Sequence, residues 1–233
     1  MVMVIAHKGA SGYERGNSAK AIRKAIELGS DAIEFDVHVT KDKNIIIAHD
    51  PSITNGNKRL VLRKTPLYEV AEVYKCKGHK VLLLDEALRL IKGKCIVKID
   101  IKDKGMEGVI LEKLNYYGYS EQDAIITTAI SSVVKRLRKM SDNLVIEYGG
   151  FEKYEEYERM VCRAVKLKAN ILSPHFSITT QELISTAHIN GLKVHAWTIN
   201  NKGLATRFIK MGIDGITTDY PDIMKHPILP SSQ

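Results

Sequence analysis

Acidic residues and histidines concentrate in one short segment, IEFDVHVTKDKNIIIAHD (residues 33–50). Glu34, Asp36 and His38 lie two residues apart, so on a β-strand their side chains share one face and the apolar residues between them share the other. Two carboxylates on one face repel each other unless a cation lies between them. A divalent cation is the economical solution, and oxygen ligands favour Mg²⁺ or Ca²⁺. For an isolated Glu-x-Asp pair, a solvated strand face or ion pairs with lysine is the more common explanation.

A second segment, IVKIDIKD (96–103), repeats this arrangement. Lys98, Asp100 and Lys102 share one face, and apolar residues occupy the other. A buried strand of a parallel sheet is normally almost wholly apolar, so charged residues within one need a role. Asp100 could supply a third carboxylate and Lys102 a cation for a phosphate. The alternative is an exposed strand with salt bridges.

Two histidines follow predicted strands. His7 and Lys8 come at the end of the first strand, in VIAHKGAS, and His49 follows NIIIA. A lone histidine in such a place is more often structural, but two beside a carboxylate cluster favour general acid–base chemistry. A metal, two histidines and nearby lysines together suit the cleavage of a phosphodiester.

Three stretches share one order of elements: a helical pattern, a glycine and an apolar strand. They cover residues 19–37, 181–199 and 204–219. Each glycine falls where the C-terminus of a helix needs a left-handed residue; these are Gly29, Gly191 and Gly212. Strands that alternate with helices indicate parallel pairing and the α/β class.

Eight predicted strands with helices between most of them fit a (β/α)8 TIM barrel. The strands are predicted near 2–6, 31–39, 96–101, 124–128, 144–148, 170–173, 193–199 and 214–218. A ninth segment, 44–48, follows the second strand after a connection far too short for a parallel crossover, so it must form an antiparallel hairpin.

We therefore expect a single TIM-barrel domain over residues 1–233. A hairpin and loop insertion over residues 40–80 should lie at the C-terminal rim, where the active sites of such barrels are found. Within it, residues 50–80 are expected to cover the rim, and PSITNGNKRLVLRKTP (51–66) is interpreted as loop. Residues 81–91 are interpreted as the next helix.

Five segments, taken in order, resemble the motifs of the glycerophosphodiester phosphodiesterases. They are AHKGASGYERGNS, DAIEFDVHVTKDKNIIIAHD, KIDIKD, VHAWTIN and GIDGITTDYPD. The resemblance covers nearly the whole chain, residues 4–222. It implies a TIM barrel, a divalent metal, and hydrolysis of glycerophosphodiesters to glycerol phosphate and an alcohol.

The resemblance also implies roles for single residues. Glu34 and Asp36 resemble the metal ligands of the family, and Asp100 aligns with a third ligand that is usually glutamate. His7 and His49 resemble its acid–base pair.

Other positions match the family's substrate-binding and supporting residues. Asp50 resembles the residue that follows the second histidine and is suited to orient it. Trp197 resembles the aromatic residue at the substrate mouth. Apart from the resemblance, Lys8 and Lys102 are expected to share the charge of the phosphate.

The chain also departs from the family pattern. Lys8 stands where the family usually has arginine, so the charge remains but bidentate phosphate recognition is lost. In the family's Pro-Glu-Asn-Thr stretch, Asn17 remains, while Arg15 and Gly16 replace the proline and the glutamate. Because of these changes, the resemblance does not identify which glycerophosphodiester is the substrate.

The net charge and the basic segments limit the kinds of partner that this protein is expected to bind. The formal net charge of +8 suits an anionic substrate, nucleic acid or an anionic membrane surface. The basic run KRLRK (135–139) is most simply a solvated helix face, because no aromatic residues are interleaved with it, and no nucleic-acid partner is expected.

Three widely spaced cysteines favour a reducing compartment. No signal peptide or apolar run long enough for a transmembrane segment is evident. A soluble, cytoplasmic protein is expected, with a small-molecule glycerophosphodiester as its partner.

Three other functions remain open at this point. A phospholipase D-like lyase that forms cyclic phosphates resembles the same family. The altered motifs would also fit a non-catalytic barrel that binds a phosphorylated ligand. A nucleic-acid binder is the last, and a steep salt dependence of binding would favour it.

Overall fold

Strands and helices alternate along most of the chain. The structure, a computed structural model, describes residues 2–151 and 156–222. Its strands are β1 (Met3–Ala6), β2 (Ala32–Val39), β3 (Ile45–Ile47), β4 (Ser52–Asn55), β5 (Lys58–Val61), β6 (Leu82–Leu83), β7 (Ile96–Ile101), β8 (Ala124–Thr128), β9 (Val145–Phe151), β10 (Ile171–Pro174), β11 (Lys193–Ala196) and β12 (Gly215–Thr218). Its α-helices are α1 (Ala19–Glu27), α2 (Leu67–Cys76), α3 (Leu84–Ile91), α4 (Glu107–Tyr116), α5 (Ser131–Met140), α6 (Tyr157–Lys166), α7 (Gln181–Ile189) and α8 (Lys202–Lys210).

Eight of these strands form a closed parallel ring. Its order is β1, β2, β7, β8, β9, β10, β11 and β12, and β1 closes the ring by pairing with both β2 and β12. In the pairing of β2 with β7, Asp36 lies directly beside Asp100. The predicted TIM barrel is therefore confirmed, with helices around the ring.

The alternation along β2 separates the core from the interior of the barrel. Ile33, Phe35 and Val37 are fully buried in the main hydrophobic cluster, which packs the strands against the helices. The three helix-ending glycines all have left-handed backbone, with φ of 69°, 75° and 84°, as predicted for Gly29, Gly191 and Gly212. Ser18 caps α1 by accepting a hydrogen bond from the amide of Ala21.

The segment between β2 and β7 carries more structure than the sequence indicated. β3 pairs antiparallel with β2 and with β6. The stretch 51–66, predicted as loop, is not wholly loop, because β4 and β5 form a second hairpin within it. The helix α2 follows directly after it. The predicted helix over 81–91 begins only at Leu84, because Leu82–Leu83 forms the edge strand β6.

The helix α2 exists because it can bury an apolar stripe. Val70 and Tyr74 pack with Ile46, Leu62 and Val81 in a second, smaller core beneath the insertion. The opposite face of α2 carries the exposed side chains of Tyr68, Glu72 and Lys75. No helix in the described part of the chain combines the length and the apolarity needed to cross a bilayer.

The interior of the barrel holds a buried ionic cluster. Lys98 Nζ lies 2.5 Å from Glu147 Oε1, and Glu147 Oε2 lies 2.7 Å from His195 Nδ1. All three side chains are almost fully buried. Burial acts to raise the pKa of Glu147, but the charges of Lys98 and His195 outweigh it and hold that pKa well below its usual range.

We expect Glu147→Ala to lower the free energy of unfolding by about 3–5 kcal/mol, because it leaves a buried lysine without its partner. Chemical denaturation at pH 7 measures this change. The matched control is Glu112→Ala on the exposed face of α4, which should change stability by less than about 0.5 kcal/mol. Equal stability of the two variants would show that Lys98 is not held by Glu147.

Candidate active site

The eight residues singled out for chemistry line one cleft, called here the inner cleft. His7, Lys102 and Trp197 directly follow β1, β7 and β11, which places the inner cleft at the C-terminal rim of the barrel. Its volume is about 270 Å³. The eight are His7, Lys8, Glu34, Asp36, His49, Asp100, Lys102 and Trp197.

Three carboxylates converge in the inner cleft. Glu34, Asp36 and Asp100 each offer an oxygen, and these oxygens all lie within 4.8 Å of one another. Lys102 Nζ bridges two of them, at 3.0 Å from Asp36 Oδ1 and 2.6 Å from Asp100 Oδ2. Three carboxylates against one ammonium leave an excess of negative charge.

The pKa values of the three carboxyl groups reflect this excess of negative charge. Burial, followed by the charge of Asp36, raises the pKa of Glu34 to about 7. Burial likewise raises the pKa of Asp100, although Lys102 opposes it. Burial acts on Asp36 too, but Lys102 and a hydrogen bond from Asn17 prevail and hold its pKa below its usual range. A divalent cation would neutralise the remaining charge, so this set of hard oxygen donors fits Mg²⁺ or Ca²⁺.

The loop after β1 holds two of the carboxylates in place. The amide of Lys8 donates to Glu34 Oε2 at 2.8 Å. Asn17 donates through Nδ2 to Asp36 Oδ2 at 2.8 Å and accepts from the Asp36 amide at 3.2 Å. Lys8 and Asn17 both have left-handed backbone, with φ of 55° and 57°. This costly backbone geometry turns polar groups of the loop towards the cluster.

His7 is oriented by a carboxylate far away in the sequence. Its Nδ1 lies 2.7 Å from Asp219 Oδ1. Asp219 also accepts hydrogen bonds from Ser11 Oγ at 2.6 Å and Asn200 Nδ2 at 2.5 Å. Burial acts to raise the pKa of Asp219, but these hydrogen bonds outweigh it and lower the pKa to about 2. An ionised Asp219 fixes the ring with Nδ1 engaged and leaves Nε2 for chemistry.

His49 is held in a similar way but stands further into solvent. Its Nδ1 lies 2.9 Å from Asp50 Oδ1, and its side chain is 54% exposed. The buried His38 holds the backbone from below, because its Nε2 lies 3.2 Å from the carbonyl oxygen of His49. His38 Nδ1 in turn lies 2.9 Å from Asp103 Oδ2. His38 therefore supports His49 and is not among the converging metal-type ligands.

Sequence reasoning missed three contributors to this region. Asp219 directly follows β12, and its position at a strand end was the available signal. Asn17 was noted only as a retained motif residue. His195 was not among the predicted site residues, yet it is buried against Glu147, which lines the inner cleft.

Comparison with known proteins gives one consistent family. The family described as "Glycerophosphoryl diester phosphodiesterase family" matches residues 7–223. A glycerophosphodiester phosphodiesterase of Caldanaerobacter subterraneus is 30% identical, over 95% of this chain and 96% of the relative.

Solved structures share the fold at lower identity. A phosphodiesterase from Oleispira antarctica, in complex with the product sn-glycerol-3-phosphate, is 22% identical with a TM-score of 0.82, covering 96% of this chain and 95% of that one. A glycerophosphodiester phosphodiesterase from Thermotoga maritima is 23% identical with a TM-score of 0.80, covering 96% of both chains.

We expect Mg²⁺ or Ca²⁺ to raise the thermal midpoint by roughly 5 °C at saturating concentration, because a cation that binds only the folded cluster stabilises it. Ligating carboxylates must be ionised. Since the pKa of Glu34 without metal is about 7, the midpoint shift should grow as the pH rises from 6 to 8. Differential scanning fluorimetry measures it.

The variant Asp100→Asn should lose most of this shift. The control Asp142→Asn, which removes an exposed carboxylate outside the inner cleft, should keep it. An undiminished shift in Asp100→Asn would place the cation elsewhere.

Proposed function

Because this chain belongs to the glycerophosphoryl diester phosphodiesterase family, we propose that the inner cleft uses a divalent metal ion, Mg²⁺ or Ca²⁺, to hydrolyse glycerophosphodiesters to glycerol phosphate and an alcohol. The observation that carries this proposal is the convergence of Glu34, Asp36 and Asp100 beside two histidines, each bound to a carboxylate. The Oleispira relative bound to sn-glycerol-3-phosphate supports the same product class.

The three carboxylates would hold the metal. A metal bound there supplies Lewis-acid polarisation of a phosphate oxygen and neutralises charge in the transition state. Lys102 already lies against Asp36 and Asp100, so its ammonium stands at the edge of the metal site and can share the charge of the phosphate. Lys8 lines the same cleft and can share that charge from the other side.

The two histidines provide the proton transfers. One takes a proton from a water molecule as the water oxygen bonds to phosphorus, and the other gives a proton to the alkoxide as its bond to phosphorus breaks. Asp219 and Asp50 each engage Nδ1, so Nε2 is the reacting nitrogen in both rings. Trp197 is fixed by the hydrogen bond from its Nε1 to the carbonyl oxygen of Ser173, at 3.0 Å, and lines the cleft beside the substrate.

The departures from the family pattern are compatible with the structure around the inner cleft. A Cβ added at Gly16 would lie 3.1 Å from Lys8 Cβ and 3.2 Å from Ser11 Cβ. The absence of a side chain at Gly16 therefore leaves room for Lys8 in its left-handed conformation. Asp100 is one methylene shorter than a glutamate, but it lies directly beside Asp36 in the register of the strands. Neither change removes a member of the carboxylate or histidine set.

We expect His7→Ala to reduce kcat for glycerophosphodiester hydrolysis by about 10²–10⁴-fold, because general acid–base catalysis contributes a factor of this size. Phosphorus NMR follows the products, with Mg²⁺, with Ca²⁺ and with a chelator. The control His79→Ala removes an exposed histidine of the insertion and should retain activity.

The same spectra separate the competing functions. Release of glycerol phosphate that requires metal supports the proposal. A cyclic phosphate product would instead identify the lyase reaction. Metal binding without any turnover would identify a non-catalytic barrel.

We expect Asp219→Asn to lower kcat about ten- to a hundredfold with little change in KM, because His7 loses the carboxylate that fixes its reacting nitrogen. Steady-state kinetics under saturating metal measures both constants. A matched control is Asp214→Asn, since Asp214 makes the same type of contact, at 2.7 Å, with His188 and lines neither the inner cleft nor its neighbour. An equal fall in kcat for both variants would indicate a loss of stability instead of misplacement of His7.

A further inference from the structure

A second cleft adjoins the inner one and is called here the outer cleft. It lies between the loop after β1, the hairpin β4–β5 and α2, and its volume is about 680 Å³. Lys8 and His49 line both clefts. A phosphodiester whose phosphate lies at the carboxylate cluster can therefore extend past His49 into the outer cleft.

The walls of the outer cleft are strongly cationic. Arg15, Arg59 and Lys77 reach it from three different elements, in addition to Lys8. Within residues 2–151 and 156–222, none of these four side chains forms an ion pair. Asp50 is the carboxylate among the described lining residues, and it is engaged with His49.

Neutral groups orient these cations. Arg59 Nε donates to Ser52 Oγ at 2.7 Å, and the guanidinium of Arg15 lies 5.3 Å from the centroid of the buried Tyr74 ring. Lys77 Nζ lies 3.5 Å from Thr54 Oγ1. Elsewhere on the surface, lysines such as Lys80 pair with acidic neighbours. Four cationic side chains around one space, with Asp50 as the one carboxylate among its described lining residues, favour an anion there.

The inner and outer clefts differ in size and in the side chains of their walls. This difference indicates which half of a diester each cleft would bind. The inner cleft is small and its walls carry fixed polar groups, which suits a small constant moiety such as glycerol. The outer cleft is larger and belongs to the insertion, which suits the alcohol that varies between substrates.

We propose that the outer cleft binds the alcohol moiety of the substrate and that Arg15, Arg59 and Lys77 select an alcohol carrying a second anionic group, a phosphate or a carboxylate. This inference rests on the proposed function of the inner cleft. An alcohol bearing a quaternary ammonium group meets like charge in the same place and is disfavoured.

The test compares glycerophosphoglycerol with the same diester carrying a terminal phosphate, and with glycerophosphocholine. At low ionic strength, kcat/KM should be about tenfold or more higher for the phosphorylated diester than for glycerophosphoglycerol, and lowest for the choline diester. Added salt should reduce the preference, because exposed charges are screened.

The double variant Arg15→Gln/Arg59→Gln should bring the ratio of kcat/KM for the phosphorylated and unphosphorylated diesters close to one. The control Lys135→Gln/Lys139→Gln removes the same charge from α5, in residues that line neither cleft, and should keep the ratio. An unchanged ratio in the arginine variant, or no preference in the native protein, overturns the inference.

Binding separates this inference from the proposed function. Calorimetry with the His7→Ala variant measures the affinity for the two matched diesters without turnover. Tighter binding of the phosphorylated diester, lost on adding Arg15→Gln/Arg59→Gln, supports the anionic subsite even if the native protein hydrolyses none of the diesters. Turnover of all three diesters with equal affinity for the matched pair confirms the hydrolase and refutes the subsite.

Discussion

The repulsion between three converging carboxylates, two of them buried and one partly exposed, is the constraint on which the rest of this site depends. Glu34, Asp36 and Asp100 converge because β2 and β7 are parallel neighbours in register, which puts Asp36 beside Asp100. Water cannot screen these charges there, so Glu34 is pushed towards protonation near neutral pH. The hydrogen-bond donors and the ammonium group around the cluster reduce this repulsion in part. A metal ion bound there would reduce the rest.

One ammonium group and several hydrogen-bond donors lie against the three carboxylates and reduce their repulsion. Lys102 directly follows β7, the strand that carries Asp100. The loop after β1 adds the amide of Lys8 to Glu34 and the Asn17 side chain to Asp36. Deeper in the barrel, the buried cluster formed by Lys98, Glu147 and His195 is internally paired. The interior therefore separates a neutralised ionic floor from a rim that keeps excess negative charge, and the rim is where the proposed metal ion would bind.

The insertion between β2 and β7 gives the site its asymmetry. Its first strand, β3, runs antiparallel to β2 and brings His49 to the inner cleft, which His7 also lines. Its hairpin and α2 contribute cations to the outer cleft beyond His49. The negative cluster and the positive wall lie on either side of the same histidine. A diester with its phosphate at the carboxylate cluster and a second anion at its other end, as proposed above, matches this order of charges.

The sequence alone predicted the barrel and seven of the eight chemistry-bearing residues found in the inner cleft, because period-two alternation and strand-end positions are local signals that survive without coordinates. The eighth, Trp197, was predicted only through the resemblance to the family. It did not reveal α2, whose apolar stripe makes sense only against the core beneath the insertion. Nor did it reveal that Asp219 orients His7, across 212 residues, or that His195 joins Glu147, because these contacts exist only once the ring of strands has closed. The distribution of charge between the two clefts was decided in the same way, since it depends on which side chains of distant segments face a common space.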